Sequence, residues 1–550
     1  MKACGSESGI IPARRQSQLR LMLVMAVTVI SVTLMASQRP PVFREQGYGL
    51  RDLAPPTRSQ TMARPDVVLA EPAALPVAEA GRSPVVGMVR SLVAVSYDRL
   101  APTSFESKGA VRIRLRLDGV SLTPGMVGWV LGANGEAVPF GPELLFEDSL
   151  WTPSVAGDSI SLVLPEGARA NVSAIGHISR TISPTATECI QDVSCNTFPD
   201  RETLTKAVAA YLFVDDSSGL INACTGALIN GAEGDRLFLT SRSCVASASE
   251  AASVEAAWDF RTPFCGGNVN PATITTGATL LATSASTDAA LLRMNALPPG
   301  RWLMGWSTGT LAAGEALYRI SHPALADNSG LFAQAFALTS LTTASGSCPI
   351  FPRPNFLHSN RVTGGVGPPS LGAPVIRTGG LIVGQLYAIC SASGPPDGCS
   401  SSSVVIDGAL SVAYNDLKAF IDPPTPAGCV ANATTACVLS NRFRVSIAYV
   451  NPFSNPPNQP GNFLGARLLQ GTQNPDVALF GFNSAQAVEV VVRIQDARPF
   501  ANRFDVYYGG LTDVGYTVTV TDTQTGTTRQ YVNNVGTVGG GVDRNSFPAN

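Results

Sequence analysis

The chain is long, weakly charged and rich in turn-forming residues. It has 550 residues, of which 14% are charged, and its formal net charge is −2. This length favours several domains, and the low, balanced charge argues against a polyanion-binding surface, so no nucleic acid partner is expected. With 52 glycines and 40 prolines, the chain is expected to form short strands and turns rather than long helices.

An apolar run near the N-terminus predicts export. Residues 21–36 are apolar, follow three arginines within residues 14–20, and end beside the small residue Ser37. This is the layout of a secretory signal peptide, which we predict over residues 1–37, with no membrane contact after its cleavage. The alternative is an uncleaved N-terminal anchor, although the apolar run is near the short limit for a membrane span.

The cysteine count points to an oxidising compartment. Eleven cysteines are present, and ten remain once Cys4, which precedes the apolar run, leaves with the signal peptide. An even number in an exported chain suggests five disulfides, and we expect the protein to be secreted, periplasmic or on the cell surface. The three histidines, His177, His322 and His358, lack finger-like spacing with the cysteines, so no metal or other cofactor is predicted.

Sequence patterns divide the chain into β-rich regions, and the predicted fold class is all-β. Residues 111–117 alternate apolar and charged side chains, as in a strand with one buried and one solvated face, and an Asn134-Gly135 turn follows. Short apolar strands run from Cys189 to about residue 420, spaced as in a double β-barrel, and more strands follow a proline-rich segment. The predicted segments are a signal peptide (1–37), a Pro/Ala-rich linker or pro-segment (38–90), an N-terminal β-sandwich (91–182), a double β-barrel (183–423), a linker (424–436) and a C-terminal β-sandwich (437–550).

Two cysteines bracket the stretch around which the chain is organised. Cys224-Thr225-Gly226 lies in one apolar strand, and Thr240-Ser241-Arg242-Ser243-Cys244 ends the next. Over residues 185–423, this stretch and its neighbours resemble the lysyl endopeptidase family, bacterial secreted proteases with a trypsin-like double β-barrel. The other landmarks are Cys189 and Cys195, Trp258-Asp259-Phe260 before Cys265, the small-residue run ending at Asp288, Met304-Gly305-Trp306, Ser321-His322-Pro323, Pro369-Ser370-Leu371-Gly372-Ala373-Pro374 and Val383-Gly384-Gln385-Leu386.

The resemblance implies that the catalytic chemistry has been lost. A serine protease uses a hydroxyl nucleophile, an imidazole that takes its proton and a carboxylate that orients the imidazole. The carboxylate position holds Asp288, but the histidine position holds Ser243 and the nucleophile position holds Leu371. Pro369 lies at an oxyanion-hole position and has no N–H to donate. Val405 lies at the position of the aspartate that, in the family, binds the lysine side chain of the substrate.

Neighbouring residues offer alternatives to the lost groups. Ser370 is next to the nucleophile position, and His322 or His358 could supply a base from elsewhere. We expect Ser370 to be a locally bonded loop hydroxyl and both histidines to lie in loops. Because a buried, unpaired carboxylate is costly, Asp288 is expected to accept hydrogen bonds from Ser243 or from backbone N–H groups.

The resemblance also implies a disulfide pattern. The family pairing carries over as Cys189–Cys390, Cys195–Cys265 and Cys224–Cys244. Cys348 and Cys399 remain and are paired with each other, and Cys429 and Cys437 are close enough in the sequence to form a fifth bridge. A structural disulfide contributes about 2–4 kcal/mol to stability, so the fold can stay stable after the catalytic residues have been replaced.

The sequence therefore predicts a secreted serine-protease homologue that is catalytically inactive and acts as a binding or scaffold protein. Its expected partner is an unidentified protein or peptide. An active trypsin-like endopeptidase with a rebuilt site is the alternative, and a structural envelope module without a ligand is a third hypothesis. The flanking sandwiches resemble accessory modules of bacterial exported proteases, which implies delivery or binding.

Overall fold

The computed structural model describes most of the chain between Ser37 and Pro548. The described residues are 37–45, 47–49, 53–54, 56, 65–72, 75, 83–97, 103–179, 189–231, 236–323, 333–342, 348–391, 397–423, 429–450, 463–469, 476–482 and 487–548. The predicted signal peptide, apart from Ser37, and residues 424–428 of the predicted second linker lie outside these ranges. None of the helices within them is both long enough and apolar enough to cross a membrane.

The front of the chain forms a β-sandwich and two short strands that precede it. The strands are β1 Gln38–Arg39, β2 Val42–Arg44, β3 Val67–Leu69, β4 Val85–Tyr97, β5 Thr103–Ser107, β6 Ala110–Asp118, β7 Gly128–Gly132, β8 Ala137–Phe140, β9 Leu150–Trp151, β10 Val155–Ala156, β11 Ser159–Val163 and β12 Ala170–Ser179. One sheet has the order β3-β5-β11-β7-β8, and β10-β6-β12-β4 belong to the facing sheet. Ile113, Leu115 and Leu117 alternate along β6 and fill the core between the sheets. On the other face of β6, predicted to be solvated, Arg112 and Arg114 are buried. Arg112 donates to Ser154 of the same sandwich, and Arg114 donates to the Ser253 carbonyl of the central domain.

The first barrel of the central domain is built from β14 to β20. The elements are β13 Gln191–Asp192, α1 Arg201–Leu204, β14 Val208–Val214, β15 Leu220–Leu228, β16 Leu237–Ser241, α2 Ala248–Ala252, β17 Glu255–Trp258, β18 Thr273–Thr276, β19 Ala278–Ser284 and β20 Ala289–Met294. The strands pair in the order β18-β17-β14-β15-β16-β20-β19. Gly277, at φ +80, joins β18 directly to β19, so the two ends of this order are adjacent.

The second barrel is a closed ring of six strands, β23-β24-β25-β28-β27-β26. The elements are β21 Arg301–Leu303, β22 Gly305–Ser307, β23 Ala316–Ser321, β24 Ala335–Leu341, β25 Phe356–Gly364, β26 Pro374–Arg377, β27 Leu381–Ser391, β28 Ser403–Ala409 and α3 Leu410–Ile421. Helix α3 buries Leu410, Ala413 and Leu417, which share one helix face, in the apolar core that also holds the first barrel.

The tail is a separate β-sandwich with a core of its own. Its elements are β29 Thr435–Val438, β30 Phe443–Val450, β31 Phe463–Gly465, β32 Arg467–Leu468, β33 Val477–Gly481, β34 Val490–Asp496, α4 Arg498–Ala501, β35 Arg503–Gly510, β36 Tyr516–Asp522, β37 Thr528–Asn533 and β38 Gly540–Pro548. In the described part of the chain, its two five-stranded sheets contain no strand from the central domain. The fold class is therefore the predicted one: all-β, with a trypsin-like double β-barrel between two β-sandwiches.

The front segment differs from the predicted boundaries. Strand β4 crosses the predicted start of the sandwich at residue 91, and the predicted linker over 38–90 contains β1, β2 and β3. Strands β1 and β2 pair with β22 and β21 of the central domain. Strands of two or three residues are too short to show a hydrophobic period, so the sequence pattern could not reveal them.

Three of the five predicted disulfides are confirmed and two are wrong. Cys195–Cys265, Cys224–Cys244 and Cys429–Cys437 are present as predicted. Instead of Cys189–Cys390 and Cys348–Cys399, the structure contains Cys189–Cys399 and Cys348–Cys390. Cys348 and Cys390 share an apolar cluster with Phe356, whereas Cys189 and Cys399 meet over Gly365. Spatial position decides among the three ways of pairing four cysteines, and spacing does not show it.

Candidate functional site

The candidate site lies where the two barrels meet. Thr225 of β15 donates its N–H to the Leu371 carbonyl (2.9 Å) and its hydroxyl to the Pro369 carbonyl (2.8 Å). These bonds hold the predicted nucleophile loop of the second barrel against the first. Asp288 directly precedes β20, and Ser241, at the end of β16, pairs with the residue after it. The strand register therefore brings the carboxylate to the end of β16.

The backbone of Asp288 is held in an uncommon conformation. Its φ is +59, in the left-handed region, and its carbonyl accepts the N–H of Arg242 at 2.6 Å. This turn directs a buried carboxylate toward the segment that follows β16.

Two serine hydroxyls satisfy the Asp288 carboxylate. Ser243 donates to Oδ1 at 2.8 Å, as predicted, and Ser241 donates a short hydrogen bond to Oδ2. Burial raises the pKa of Asp288, and the hydrogen bonds from Ser241 and Ser243 oppose that shift. Ser241 was not predicted as a partner. It lies only two residues before Ser243, but Ser243 is already in the turn that follows β16, so the alternation of a strand could not indicate that the two hydroxyls share a partner.

The predicted nucleophile position is part of the protein interior. Leu371 is 4% exposed and belongs to the apolar core that includes residues of both barrels. It follows a 3-10 turn at Pro368–Ser370. The Pro369 carbonyl is used by Thr225, and proline has no N–H for an oxyanion. The side chain at this position has no atom that could attack a carbonyl carbon.

Gly372 lets the loop approach the first barrel closely. Its φ is +81, and a Cβ there would collide with Thr240 Oγ1 and the Thr225 carbonyl oxygen. A residue with a side chain would push the loop away from β15 and β16. The loop therefore keeps its packing although it lacks the catalytic serine.

The alternative catalytic groups are buried among other partners. Ser370 is 0% exposed, donates to Ser321 Oγ at 3.0 Å and accepts from Gly367 N at 3.2 Å, which is the predicted local bonding. A buried hydroxyl of this kind is not presented to a substrate.

The two histidines expected in loops are both buried. His322 follows the end of β23, and its backbone N–H donates to Thr225 Oγ1 at 3.1 Å. His358 lies inside strand β25, so the loop prediction is wrong for it, and its Nε2 is 2.9 Å from the Phe351 carbonyl oxygen. Burial lowers the pKa of His358, which favours its neutral form.

The predicted specificity position is packed into an apolar cluster. Val405 is 3% exposed and clusters with Val366, Ala373 and Leu386. Two residues further along the same strand, Asp407 is buried and bound to Arg319 of β23, whose Nε donates to Oδ1 at 3.1 Å. The nearest carboxylate on this strand face is therefore neutralised inside the barrel.

Arg319 and Asp407 form a buried network that sequence reasoning missed. The guanidinium also donates to Thr339 Oγ1 at 2.6 Å and to Ser359 Oγ at 3.1 Å. Burial raises the pKa of Asp407, and Arg319 opposes that shift. No local spacing signals a pair that lies 88 residues apart.

The groups around Asp288 form hydrogen bonds to its carboxylate. A serine hydroxyl at the end of β16 can donate to a carboxylate but cannot act as a base near neutral pH. Within the described ranges, no three His, Cys, Asp or Glu side chains are grouped closely enough to hold a metal ion.

Two solved structures with protease folds are similar to this chain. One is the scabies mite inactivated protease paralogue S-D1, with a TM-score of 0.30 and 11% identity, where 40% of this chain and 92% of that chain are covered. The other is the MamO protease domain from Magnetospirillum magneticum (apo form), with a TM-score of 0.26 and 14% identity over 39% of this chain and 96% of that chain.

Sequence comparison relates the central domain to a protease family. Residues 184–399 match the family described as lysyl endopeptidase, C-terminal domain. The lysyl endopeptidase of Pseudomonas aeruginosa is 26% identical over 251 residues, which are 40% of this chain and 54% of that protein. The match thus spans about half the length of that relative.

Proposed function

We propose that this chain, whose central domain is a lysyl endopeptidase-like trypsin fold, is an exported protease homologue that binds a protein or peptide without cutting it. One observation carries the proposal. The Asp288 carboxylate, which would orient an imidazole in an active protease, is hydrogen-bonded by Ser241 and Ser243. The predicted nucleophile position holds the buried Leu371.

The size of the catalytic loss favours binding over residual hydrolysis. In a serine protease of another fold, removing the triad costs about 10⁶ in rate. An oxyanion donor is worth a further factor of about 10²–10³ if it acts independently. Here Ser243, Leu371 and Pro369 depart from the catalytic pattern together.

A partly open strand edge offers a place for an extended peptide. In the described residues, β27 from Tyr387 to Cys390 pairs with β28 on one side and with no strand on the other. Unpaired N–H and C=O groups of an edge can take up a peptide as an added strand. Binding of this kind needs none of the catalytic groups.

The packing around Val405 argues against recognition of a basic side chain. Val366, Leu386 and Val405 pack together with little exposed surface, and Asp407 is already bound to Arg319. A lysine from a partner would find apolar side chains and no free carboxylate here. The proposed partner is therefore not selected for lysine.

Purified protein, with its disulfides intact, tests the proposal directly. It is incubated with lysyl, arginyl and mixed peptide substrates and with a fluorophosphonate probe. We expect no hydrolysis and no labelling, with an active trypsin-like protease as the control for the reagents. Reproducible labelling at Ser370 would establish the alternative, an active endopeptidase with a rebuilt site. Pull-downs that recover no partner would favour the structural envelope module.

A further inference from the structure

The front sandwich and the first barrel share one sheet. Strand β4 pairs with β15, with Met88 opposite Leu220 and Gly87 opposite Ile221, and the resulting sheet has twelve strands. Ala223 donates its N–H to the Pro84 carbonyl at 3.0 Å. The backbone pairing of the front domain therefore continues into the protease-like domain.

The two domains also share an apolar core. Its front-domain members are Val86, Trp151, Ala174 and Ile178, and its barrel members are Ala210, Leu212, Val214, Ile221, Ala223, Ala257 and Phe260. Separation of the domains would expose these side chains to water. Burial of apolar surface contributes about 25 cal/mol per Å², so a core of this composition favours the joined state strongly.

Buried polar groups cross the same junction. Glu255 of the barrel accepts from Ser154 of the front domain, at 2.7 Å from its N–H and 2.6 Å from its hydroxyl. Arg114 of the front domain donates to the Ser253 carbonyl at 2.8 Å, and its guanidinium lies 4.9 Å from the centre of the Trp151 ring. Breaking such pairs leaves buried charges without partners, which is costly.

Residues 37–49 bind a different part of the central domain. Thr308 donates its N–H to the Ser37 carbonyl at 2.9 Å, and Arg39 forms an ion pair with Asp422 at 2.9 Å. Strands β1 and β2 pair with β22 and β21, at the passage between the two barrels. The Arg236 guanidinium lies 3.6 Å from the centre of the Tyr48 ring.

We propose that the region before the protease-like domain is its permanent partner, not a pro-segment that is removed. The front sandwich covers the outer face formed by β14, β15 and β17, and residues 37–49 bind across β21 and β22. All five disulfides of the described structure lie between Cys189 and Cys437, so none of them joins the front region to the protease-like domain. The partnership does not depend on whether the domain is catalytically active.

A specific cut in the full chain tests the partnership. A recognition sequence for a site-specific protease is inserted within residues 180–188, the protein is cleaved without reduction, and the products are separated by gel filtration. We expect the front fragment to remain with the rest of the chain. Its release from a barrel that stays folded would overturn the proposal. A matched cut within residues 424–428 is expected to release the tail, which shares no described strand or core with the barrel.

Two valines of β4 provide a matched pair of variants for the nicked protein. Val86 is in the shared core, whereas Val93 is 94% exposed. Val86→Lys is expected to reduce retention of the front fragment by about tenfold or more, because it buries an unpaired charge, and Val93→Lys is expected to leave retention unchanged. Equal retention in the two variants would count against the shared core as the cause.

The mass of the mature protein is an independent measure. Intact mass spectrometry of exported protein should show a chain that begins at or before Gln38 and retains residues 83–179. A mature chain beginning near Cys189 would overturn the proposal even if the Val86→Lys variant fails to fold.

Discussion

Two buried aspartates in the central domain have different surroundings. Asp407, inside the second barrel, faces the guanidinium of Arg319 and is part of a fully buried ion pair. Asp288, between the barrels, accepts from the hydroxyls of Ser241 and Ser243, and the charge of Arg242 also lowers its pKa. The first carboxylate is bound directly by a guanidinium, whereas the second is bound by two hydroxyls. Asp407 is therefore held by an ion pair inside one barrel, whereas Asp288, at the predicted catalytic position, is held mainly by hydrogen bonds.

The largest expected effect is the loss of one partner from the buried ion pair of Arg319 and Asp407. Arg319→Met leaves Asp407 buried without its cation and should destabilise the central domain by about 3–5 kcal/mol. The double variant Arg319→Met/Asp407→Leu removes both charges and should recover most of that loss. Urea denaturation of the two variants measures the difference, and equal destabilisation would show that the pair contributes mainly by shape.

Introducing a histidine and a serine at the predicted catalytic positions tests the site around Asp288. We expect the variant Ser243→His/Leu371→Ser to react slowly with a fluorophosphonate, because Asp288 can then orient an imidazole beside a hydroxyl. Adding Pro369→Gly should raise the labelling rate about 10²–10³-fold by returning an oxyanion donor. Leu371→Ser alone is the control and should not react. Its labelling would reveal a base other than position 243.

The charge of Asp288 should appear in the pH dependence of stability. A raised folded-state pKa means that its stabilising contribution is present below about pH 3.9 and is lost as the pH rises through the folded value. Asp288→Asn lacks this titration, so its stability relative to wild type should be more favourable at pH 7 than at pH 4. Urea denaturation at pH 4, 5.5 and 7 gives the comparison. The opposite trend would mean that the pKa is lowered.

The smallest expected effect is the loss of one hydroxyl at Asp288. Ser243→Ala removes one of two donors and should cost about 1 kcal/mol, because Ser241 still satisfies the other oxygen. Thermal unfolding of this variant beside Ser402→Ala, an exposed serine in the β27–β28 connection, measures the loss. A change as large as that of Arg319→Met would show that Asp288 is as structurally important as Asp407.

The sequence predicted the barrel well because its landmarks are local. Cys224-Thr225-Gly226 and the run ending at Asp288 are short segments whose order along the chain is enough to indicate the fold. The bond from Ser243 to Asp288 followed from the cost of burying a carboxylate.

The sequence patterns could not predict contacts between residues that are far apart in the chain. Arg319 and Asp407 lie in separate strands, and the sequence around each residue does not indicate the other as its partner. Arg112 and Arg114 were expected to be solvated because β6 alternates, yet Arg112 binds Ser154 of its own domain and Arg114 binds the Ser253 carbonyl of the central domain. The exchanged disulfide partners have the same origin, since tertiary position decides between pairings that spacing allows equally.

The pairing of β4 with β15 has a consequence for how the chain is assembled. Synthesis runs from the N-terminus, so residues 83–179 are complete before β15 is made. Joining two distant segments of a disordered chain carries an entropic cost that grows with their separation. A sandwich that is already folded presents β4 as a ready edge, onto which β15, then β14 and β17, can be added. The order of domains along the chain thus allows the front sandwich to act as a template for the barrel that follows it.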